Sequence, residues 1–246
     1  DVGTTLAYSI SGADAALFDI DATTGVVTFK SSPNYEAPAD AGGDNVYDVI
    51  VQVSDGALTD TQTLSVSVTN VNEAPTITSN GGGPDANVSV AENTTAVTTV
   101  TANDPDAGTT LTYSIVGGAD MGRFSIDATS GGLTFTAAPN FESPTDADAN
   151  NSYLVIVQAS DGAGGTDTQA LAVTVTNVNE APLITSDGGG ATASVSAAEN
   201  QTAATTVTSS DVDGGAAVYS IAGGADAALF TINATTGVLS FNSAPN

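Results

Sequence analysis

The organisation of this chain is set by Thr176-Asn177-Val178-Asn179-Glu180-Ala181-Pro182, a stretch that repeats Thr69-Asn70-Val71-Asn72-Glu73-Ala74-Pro75. Each copy ends one Val/Thr alternation and precedes another, as a connector between two strand-rich units does. Asn70 and Asn177 are 107 positions apart, so the connectors are joints of a repeating array. Each joint offers two amide oxygens and a carboxylate, and its Pro fixes φ. Oxygen donors on a short, stiff joint predict a hard cation, calcium first.

The same period governs the sequence on either side of the connectors. Leu111-Thr112-Tyr113-Ser114-Ile115 repeats Leu6-Ala7-Tyr8-Ser9-Ile10, and Pro139-Asn140-Phe141-Glu142 repeats Pro33-Asn34-Tyr35-Glu36. A unit of this length is large enough to build its own core. We therefore predict three units: residues 1–75 as the later two thirds of one repeat, residues 76–182 as a complete repeat, and residues 183–246 as the first part of another.

The complete unit has the composition of an all-β fold. Its apolar segments are short, rich in Val, Thr, Ile, Tyr and Phe, and separated by Gly, Asn, Asp and Pro, which predicts strands joined by turns. Seven strands in about 107 residues are typical of an immunoglobulin-like Greek-key β-sandwich. The predicted strands are 77–79 with 87–91, 96–102, 111–116, 123–126, 131–136, 153–160 and 168–177.

Charge and composition exclude several functions. The chain has 28 acidic and two basic residues, a formal net charge of −26, and neither Cys nor His. We therefore predict no binding to nucleic acid phosphates or anionic membrane surfaces. Disulfides, the usual zinc sites and His-based catalysis lack their residues. No apolar run approaches the roughly 18 residues that span a bilayer, so no membrane insertion is predicted in this stretch.

Groups of oxygen donors recur at five places in the complete unit. In chain order they are Ala91-Glu92-Asn93, Asp104-Pro105-Asp106, Asn140-Phe141-Glu142, Asp161-Gly162 and the connector. This series resembles the motifs of the cadherin repeat, in particular the bacterial cadherin-like repeats of large surface adhesins. Two motifs depart from the family's pattern. Its D-R-E is Asn140-Phe141-Glu142 here, and its D-x-N-D-N-A-P has Asn for the first Asp, Glu for the second and one Asn fewer.

The resemblance implies cadherin-type sandwich repeats in tandem, with calcium bound where consecutive repeats meet, at the cell surface or in the extracellular space. Matched residue by residue, the joint between the first and second units is expected to use Glu36, Asn70, Asn72, Glu73, Asp104, Asp106 and Asp161. The joint between the second and third units is expected to use Glu92, Glu142, Asn177, Asn179, Glu180, Asp211 and Asp213.

Three classes of function fit these features to different degrees. The favoured one is a calcium-stiffened stalk or extender of a surface or secreted adhesin, with calcium and neighbouring repeats as partners and homophilic or filament contacts as further ones. The alternative is a module whose loops bind a carbohydrate or a protein. An enzyme is not expected, because the carboxylates recur in each unit as structural parts do, although paired carboxylates serve glycosidases elsewhere.

A second acidic segment, Asp146-Ala147-Asp148-Ala149-Asn150-Asn151, precedes one of the predicted strands. Its oxygen donors at every second residue resemble the start of an EF-hand loop, but the Gly and the distal Glu of that loop are missing. We favour a polar hairpin tip over a further ion site.

Overall fold

The structure, a computed structural model, describes residues 5–246, so the first four residues of the predicted first unit lie outside it. Within this range the chain consists of strands, turns and five short 3-10 turns, and the predicted all-β fold is confirmed. None of the helices in residues 5–246 has the length and hydropathy needed to cross a membrane. The 3-10 turns are Ala15–Leu17, Ser79–Gly81, Met121–Arg123, Ser186–Gly188 and Ala227–Leu229.

Each of the predicted units contains several strands. The first unit contains β1 (Ala7–Ser11), β2 (Phe18–Ile20), β3 (Val27–Phe29), β4 (Val46–Ser54) and β5 (Thr59–Ser67). The second contains β6 (Thr76–Ile77), β7 (Asp85–Ala91), β8 (Ala96–Thr99), β9 (Ala102–Asn103), β10 (Thr112–Gly117), β11 (Phe124–Ile126), β12 (Gly132–Phe135), β13 (Ser152–Ser160) and β14 (Thr166–Thr176). The third contains β15 (Leu183–Ile184), β16 (Ala203–Thr206), β17 (Ser209–Ser210), β18 (Phe230–Ile232) and β19 (Val238–Phe241).

Two of the predicted strands are shortened or interrupted in the structure, and the others agree with it to within two residues at each end. The segment 77–79 is paired only in β6, because the chain then turns through Ser79–Gly81, where Asn80 has a φ of 51°. The segment 96–102 breaks into β8 and β9, because the backbone N–H of Val100 leaves the ladder and donates to the carbonyl of Gly131 at 2.8 Å.

Two sheets face each other in the second unit. One has the strand order β10-β13-β14-β7 and the other β11-β12-β8. All these pairs are antiparallel except β14 with β7, which run parallel with Thr176 opposite Ala91. The ends of β7 and β14 therefore lie side by side at the start of the connector. This pairing brings Glu92, the residue after β7, next to the connector that follows β14.

The core of the second unit is built from the alternation seen in its sequence. Leu171, Val173 and Val175 of β14 are at most 1% exposed, and Thr174 and Thr176 between and after them face solvent. This is the predicted alternation. Burial of side chains of this size contributes roughly 1.5–3 kcal/mol each, as an upper estimate.

An aromatic cluster joins the two sheets. The ring of Phe135 lies 4.6 Å from that of Phe124 and 5.1 Å, edge to face, from that of Tyr153, a favourable arrangement of aromatic quadrupoles. The buried Tyr153 hydroxyl accepts a hydrogen bond from the Thr145 N–H at 3.0 Å. The first unit repeats this cluster with Phe18, Phe29 and Tyr47.

The hairpin between β11 and β12 shows why its turn contains glycine. Asp127 accepts hydrogen bonds from the N–H groups of Thr129 and Ser130 at 3.0 and 2.7 Å. Gly131 has a φ of +72°, and a Cβ at that position would overlap the carbonyl oxygen of Val100. A residue with a side chain is excluded there both by backbone strain and by the neighbouring strand.

Candidate calcium-binding joints

The two connectors run between units without strand structure, and loops of both adjoining units surround each of them. We call the connector 69–75 with its surrounding residues the first joint, and the connector 177–182 with its surroundings the second joint. In the second joint the end of β7 supplies Glu92, and the loop between β12 and β13 supplies Glu142. The loop after β17 supplies Asp211 and Asp213.

Three carboxylates meet in the second joint. Glu92, Glu142 and Glu180 each place a carboxylate oxygen within 4.8 Å of the others. The three residues come from different elements and are far apart in the sequence. The chain's two basic residues, Lys30 and Arg123, belong to neither connector and to none of the acidic motifs. The repulsion within the cluster is therefore not balanced by a protein cation.

Glu92 is the structural member of this cluster. Its side chain is 1% exposed, and its two oxygens accept hydrogen bonds from the N–H groups of Phe141 at 2.9 Å and Val178 at 2.8 Å. One carboxylate thus ties the end of β7 to the loop before β13 and to the connector. Each oxygen keeps a second lone pair, so this use does not prevent it from binding a cation.

The third unit reaches the same joint through Asp213. The Glu180 N–H donates to Oδ2 of Asp213 at 2.6 Å, and the Asp213 N–H donates to Oδ1 of Asp211 at 3.0 Å. Asp213 therefore crosses from the third unit to the connector, whereas Asp211 holds its own loop in shape.

The first joint repeats this arrangement. Glu36, Glu73 and Asp106 bring carboxylate oxygens within 4.8 Å of one another. The Glu73 N–H donates to Oδ2 of Asp106 at 3.0 Å, and the Asp106 N–H donates to Oδ1 of Asp104 at 2.8 Å. Asn70 directs its amide nitrogen to the other oxygen of Asp106 at 2.6 Å.

Asp161 reaches the first joint from the turn between β13 and β14. Its Oδ1 accepts the N–H groups of Ala163, Gly164 and Gly165 at 2.7–3.0 Å, and its Oδ2 accepts the amide of Asn72 at 2.7 Å. The bond from Asn72, followed by the backbone bonds, lowers the pKa of Asp161. Asp161 is therefore held as a carboxylate beside the connector.

The remaining connector amides hold the second joint. Asn177 donates from Nδ2 to Oε1 of Glu142 at 3.2 Å, and Asn179 donates from Nδ2 to the carbonyl of Glu180 at 3.0 Å. An amide that presents its nitrogen to a carboxylate presents its oxygen after a half-turn of the amide group. The ligand roles of Asn177 and Asn179 stay predictions, because both amides donate through their nitrogen in this structure.

Unpaired oxygens give the clearest test of whether a metal ion fits. Within residues 5–246, five buried carboxylate oxygens at the joints have no hydrogen-bond partner. Buried polar atoms are normally paired, and an acceptor facing other acceptors is satisfied by a cation rather than by a further backbone group. The donor sets, all of them oxygens, suit calcium. The five atoms are Oε1 of Glu36, Oδ2 of Asp104, Oε2 of Glu142, Oε2 of Glu180 and Oδ1 of Asp213.

The titration behaviour of the connector glutamates reflects the same crowding. Partial removal from water raises the pKa of Glu180, and the carboxylates of Glu92, Asp213 and Glu142 raise it further. Removal from water also raises the pKa of Glu73, with contributions from the nearby carboxylates. Both shifts mean that the charged form of the connector glutamate is disfavoured without a counter-ion.

Sequence reasoning placed Asn93 in a donor group but not among the ligands. Its side-chain amide donates to Oε1 of Glu180 at 2.8 Å, across 87 positions of sequence. The available signal was its position directly after Glu92.

The second acidic segment is organised by a buried aspartate that sequence reasoning missed. Asp120 is 5% exposed and accepts the N–H groups of Ala147 and Leu154 at 2.7 and 2.8 Å. Within the segment, Asp146 accepts the Asn150 N–H at 2.7 Å. Asp120 and Asp146 therefore bond to backbone N–H groups of the loop and of β13.

Comparison with known families agrees with this geometry. Residues 86–177, the greater part of the second unit, match the model of the cadherin domain family. The second unit is a cadherin-type repeat. Protocadherin-23 of Homo sapiens is 31% identical over 188 residues, which cover 73% of this chain and 5% of that protein. Cadherin-23 of Rattus norvegicus is 32% identical over 192 residues, which cover 74% of this chain and 5% of that protein. The chain thus spans about a twentieth of the length of these curated relatives.

Solved structures show the same cadherin-like fold. The human CDH23 EC21-23 structure has a TM-score of 0.62 at 22% identity, covering 98% of this chain and 84% of that one. The structure of Protocadherin Gamma B2 extracellular cadherin domains 3-6 has a TM-score of 0.56 at 20% identity, and the match covers 98% of this chain and 60% of that one. Tandem cadherin-like β-sandwiches are therefore the fold of this chain.

Proposed function

We propose that this chain is a calcium-stiffened part of a repeat array that acts as the stalk or extender of a cell-surface or secreted adhesin. The observation that carries the proposal is the pair of joint clusters, in which carboxylates converge on each connector and five buried carboxylate oxygens have no hydrogen-bond partner. A cation bound there would link consecutive units directly. Without it, the like charges favour separation of the units.

The ion stoichiometry follows from the number of donors. The second joint has five carboxylates, Glu92, Glu142, Glu180, Asp211 and Asp213, together with two asparagines. Since each calcium takes about six to eight oxygens, we propose two well-filled sites and a weaker third. Calorimetric titration of the full chain with calcium is expected to show at least two ions per joint. One ion or none per joint contradicts the proposal.

Stiffening by calcium is a separate consequence that scattering measures. At a hundredfold excess over its dissociation constant, one ion stabilises the bound state by about 2.7 kcal/mol. In calcium at about 1 mM we expect the small-angle X-ray scattering profile of one extended shape, and after chelation a broader distance distribution. Identical profiles in the two conditions contradict the stiffening.

The cellular setting is proposed from the relatives. One structural relative is described as extracellular cadherin domains, and another as a cis-dimer of protocadherin gammaB7 EC3-6. We propose an extracellular or cell-surface location, no catalytic activity, and homophilic or filament contacts between arrays. The relatives described above are animal proteins or fragments of them, so the bacterial adhesin form stays a prediction. Recognition of a glycan by the loops is tested by a glycan array, on which a pure spacer binds nothing.

A further inference from the structure

Asn93 lies where three parts of the second joint meet. It follows Glu92 at the end of β7, and its φ of 61° is in the left-handed region that Asn tolerates better than most residues. Its backbone N–H donates to the carbonyl of Pro139 at 2.9 Å. Backbone conformation and backbone hydrogen bond together fix the residue, and its side chain reaches the connector, where Nδ2 donates to Oε1 of Glu180 at 2.8 Å.

We propose that Asn93 is a positioning residue for the second joint, holding Glu180 by one carboxylate oxygen so that the other is presented to a divalent cation. The inference rests on the proposed calcium function. The other oxygen, Oε2 of Glu180, is buried and has no hydrogen-bond partner. Glu180 also lies within 4.8 Å of the ligand atoms of Glu92 and Glu142.

The physical need for such a residue comes from the charges. The carboxylates of Glu92, Asp213 and Glu142 repel Glu180 and favour a rotamer that points into water. The Asn93 amide opposes this repulsion, because a hydrogen bond to a charged acceptor is stronger than one to a neutral acceptor. The bond is made to Oε1, so that Oε2, which has no hydrogen-bond partner, is the oxygen turned towards the other carboxylates. Removing a residue that orients a metal ligand weakens metal binding by about 10–100-fold.

The test is Asn93→Gly in the full chain. Glycine accepts the positive φ without strain, so this substitution removes the amide and leaves the backbone conformation available. The matched control is Asn200→Gly. Asn200 occupies the same place in the third unit, with a φ of 58° and its N–H bonded to the carbonyl of Pro245 at 2.8 Å. Its amide has no hydrogen bond within residues 5–246.

Two measurements separate positioning from a general structural role. Calorimetric calcium titration is expected to show sites about tenfold weaker in Asn93→Gly, with the sites of Asn200→Gly unchanged. Thermal unfolding in chelator is expected to give the same midpoint for both variants. A second variant, Asn93→Asp, tolerates the same φ but replaces the donor with an acceptor, and is expected to weaken calcium binding further.

Three results overturn the inference. Equal calcium affinity in Asn93→Gly and Asn200→Gly removes the positioning role and leaves the proposed function intact. If Asn93→Gly has a lower unfolding midpoint in chelator, and calcium raises that midpoint by as much as in the unsubstituted chain, Asn93 has a structural role only. Absence of calcium binding by the unsubstituted chain overturns the proposed function and this inference together.

Discussion

Carboxylates of similar appearance in the sequence have two different roles in the joints. Glu92 is buried, and both of its oxygens accept backbone N–H groups. Glu142 is half-buried, accepts one amide, and keeps Oε2 unpaired. We therefore expect Glu92 to support the fold with or without calcium, and Oε2 of Glu142 to gain a partner only when a cation binds.

Replacing each glutamate by glutamine separates these roles. Glu92→Gln turns one acceptor into a donor facing an N–H group, and leaving a buried donor unpaired costs about 1–3 kcal/mol. We expect this loss of stability in chelator, measured by denaturant unfolding. Glu142→Gln removes a like charge, so we expect unchanged or slightly higher stability in chelator. We also expect calcium to increase the stability of this variant by less than that of the unsubstituted chain. Equal losses from both substitutions in chelator contradict the division of roles.

At the scale of the strands, much of the arrangement could be predicted from the sequence. The Val/Thr alternation of β14 identified its buried face, and the repeated motifs identified both clusters of carboxylates. The parallel pairing of β7 with β14 was not among the predictions, since alternation reveals a strand's faces but not its neighbours. Asn93 and the buried Asp120 were missed for the same reason, because their hydrogen bonds connect residues 27 to 87 positions apart.

The turns of the second unit offer a matched pair of glycines. Gly131 and Gly162 have similar φ values of +72° and +76°, but a Cβ on Gly131 would overlap the Val100 carbonyl oxygen, whereas a Cβ on Gly162 meets nothing within 4 Å. Gly162→Ala is expected to cost about 1–2 kcal/mol for the left-handed backbone alone. Gly131→Ala is expected to cost more than about 3 kcal/mol.

Hydrogen exchange of the β13 amides measures how much each substitution destabilises the second unit. The most protected amides of a unit exchange only when that unit unfolds. Similar protection in the two variants would show that β8 and β12 adjust to the added methyl group, contrary to this expectation.

At the scale of the whole molecule, each joint gathers carboxylates from separate parts of the chain. The outward positions of β13 are Ser152, Leu154, Ile156, Gln158 and Ser160, which carry no charge. Ten of the chain's 28 acidic residues are the carboxylates predicted as ligands at the two joints, and six of these ten form the two clusters. We expect removal of cations to leave the sandwiches folded and to change the chain chiefly at its joints.

This distribution makes the shape of the array depend on which cation is present. If calcium acted only by screening, sodium chloride would replace it, because the Debye length falls from about 30 Å at 0.01 M to about 3 Å at 1 M salt. We expect sodium chloride in chelator to reduce the repulsion but leave the joints flexible, since sodium does not supply two charges to one oxygen cluster. Magnesium is expected to be weaker than calcium, because it demands near-octahedral geometry and retains its water. Small-angle scattering of the full chain across these salts checks the order, and a profile in about 1 M sodium chloride that equals the calcium profile shows screening in place of site binding.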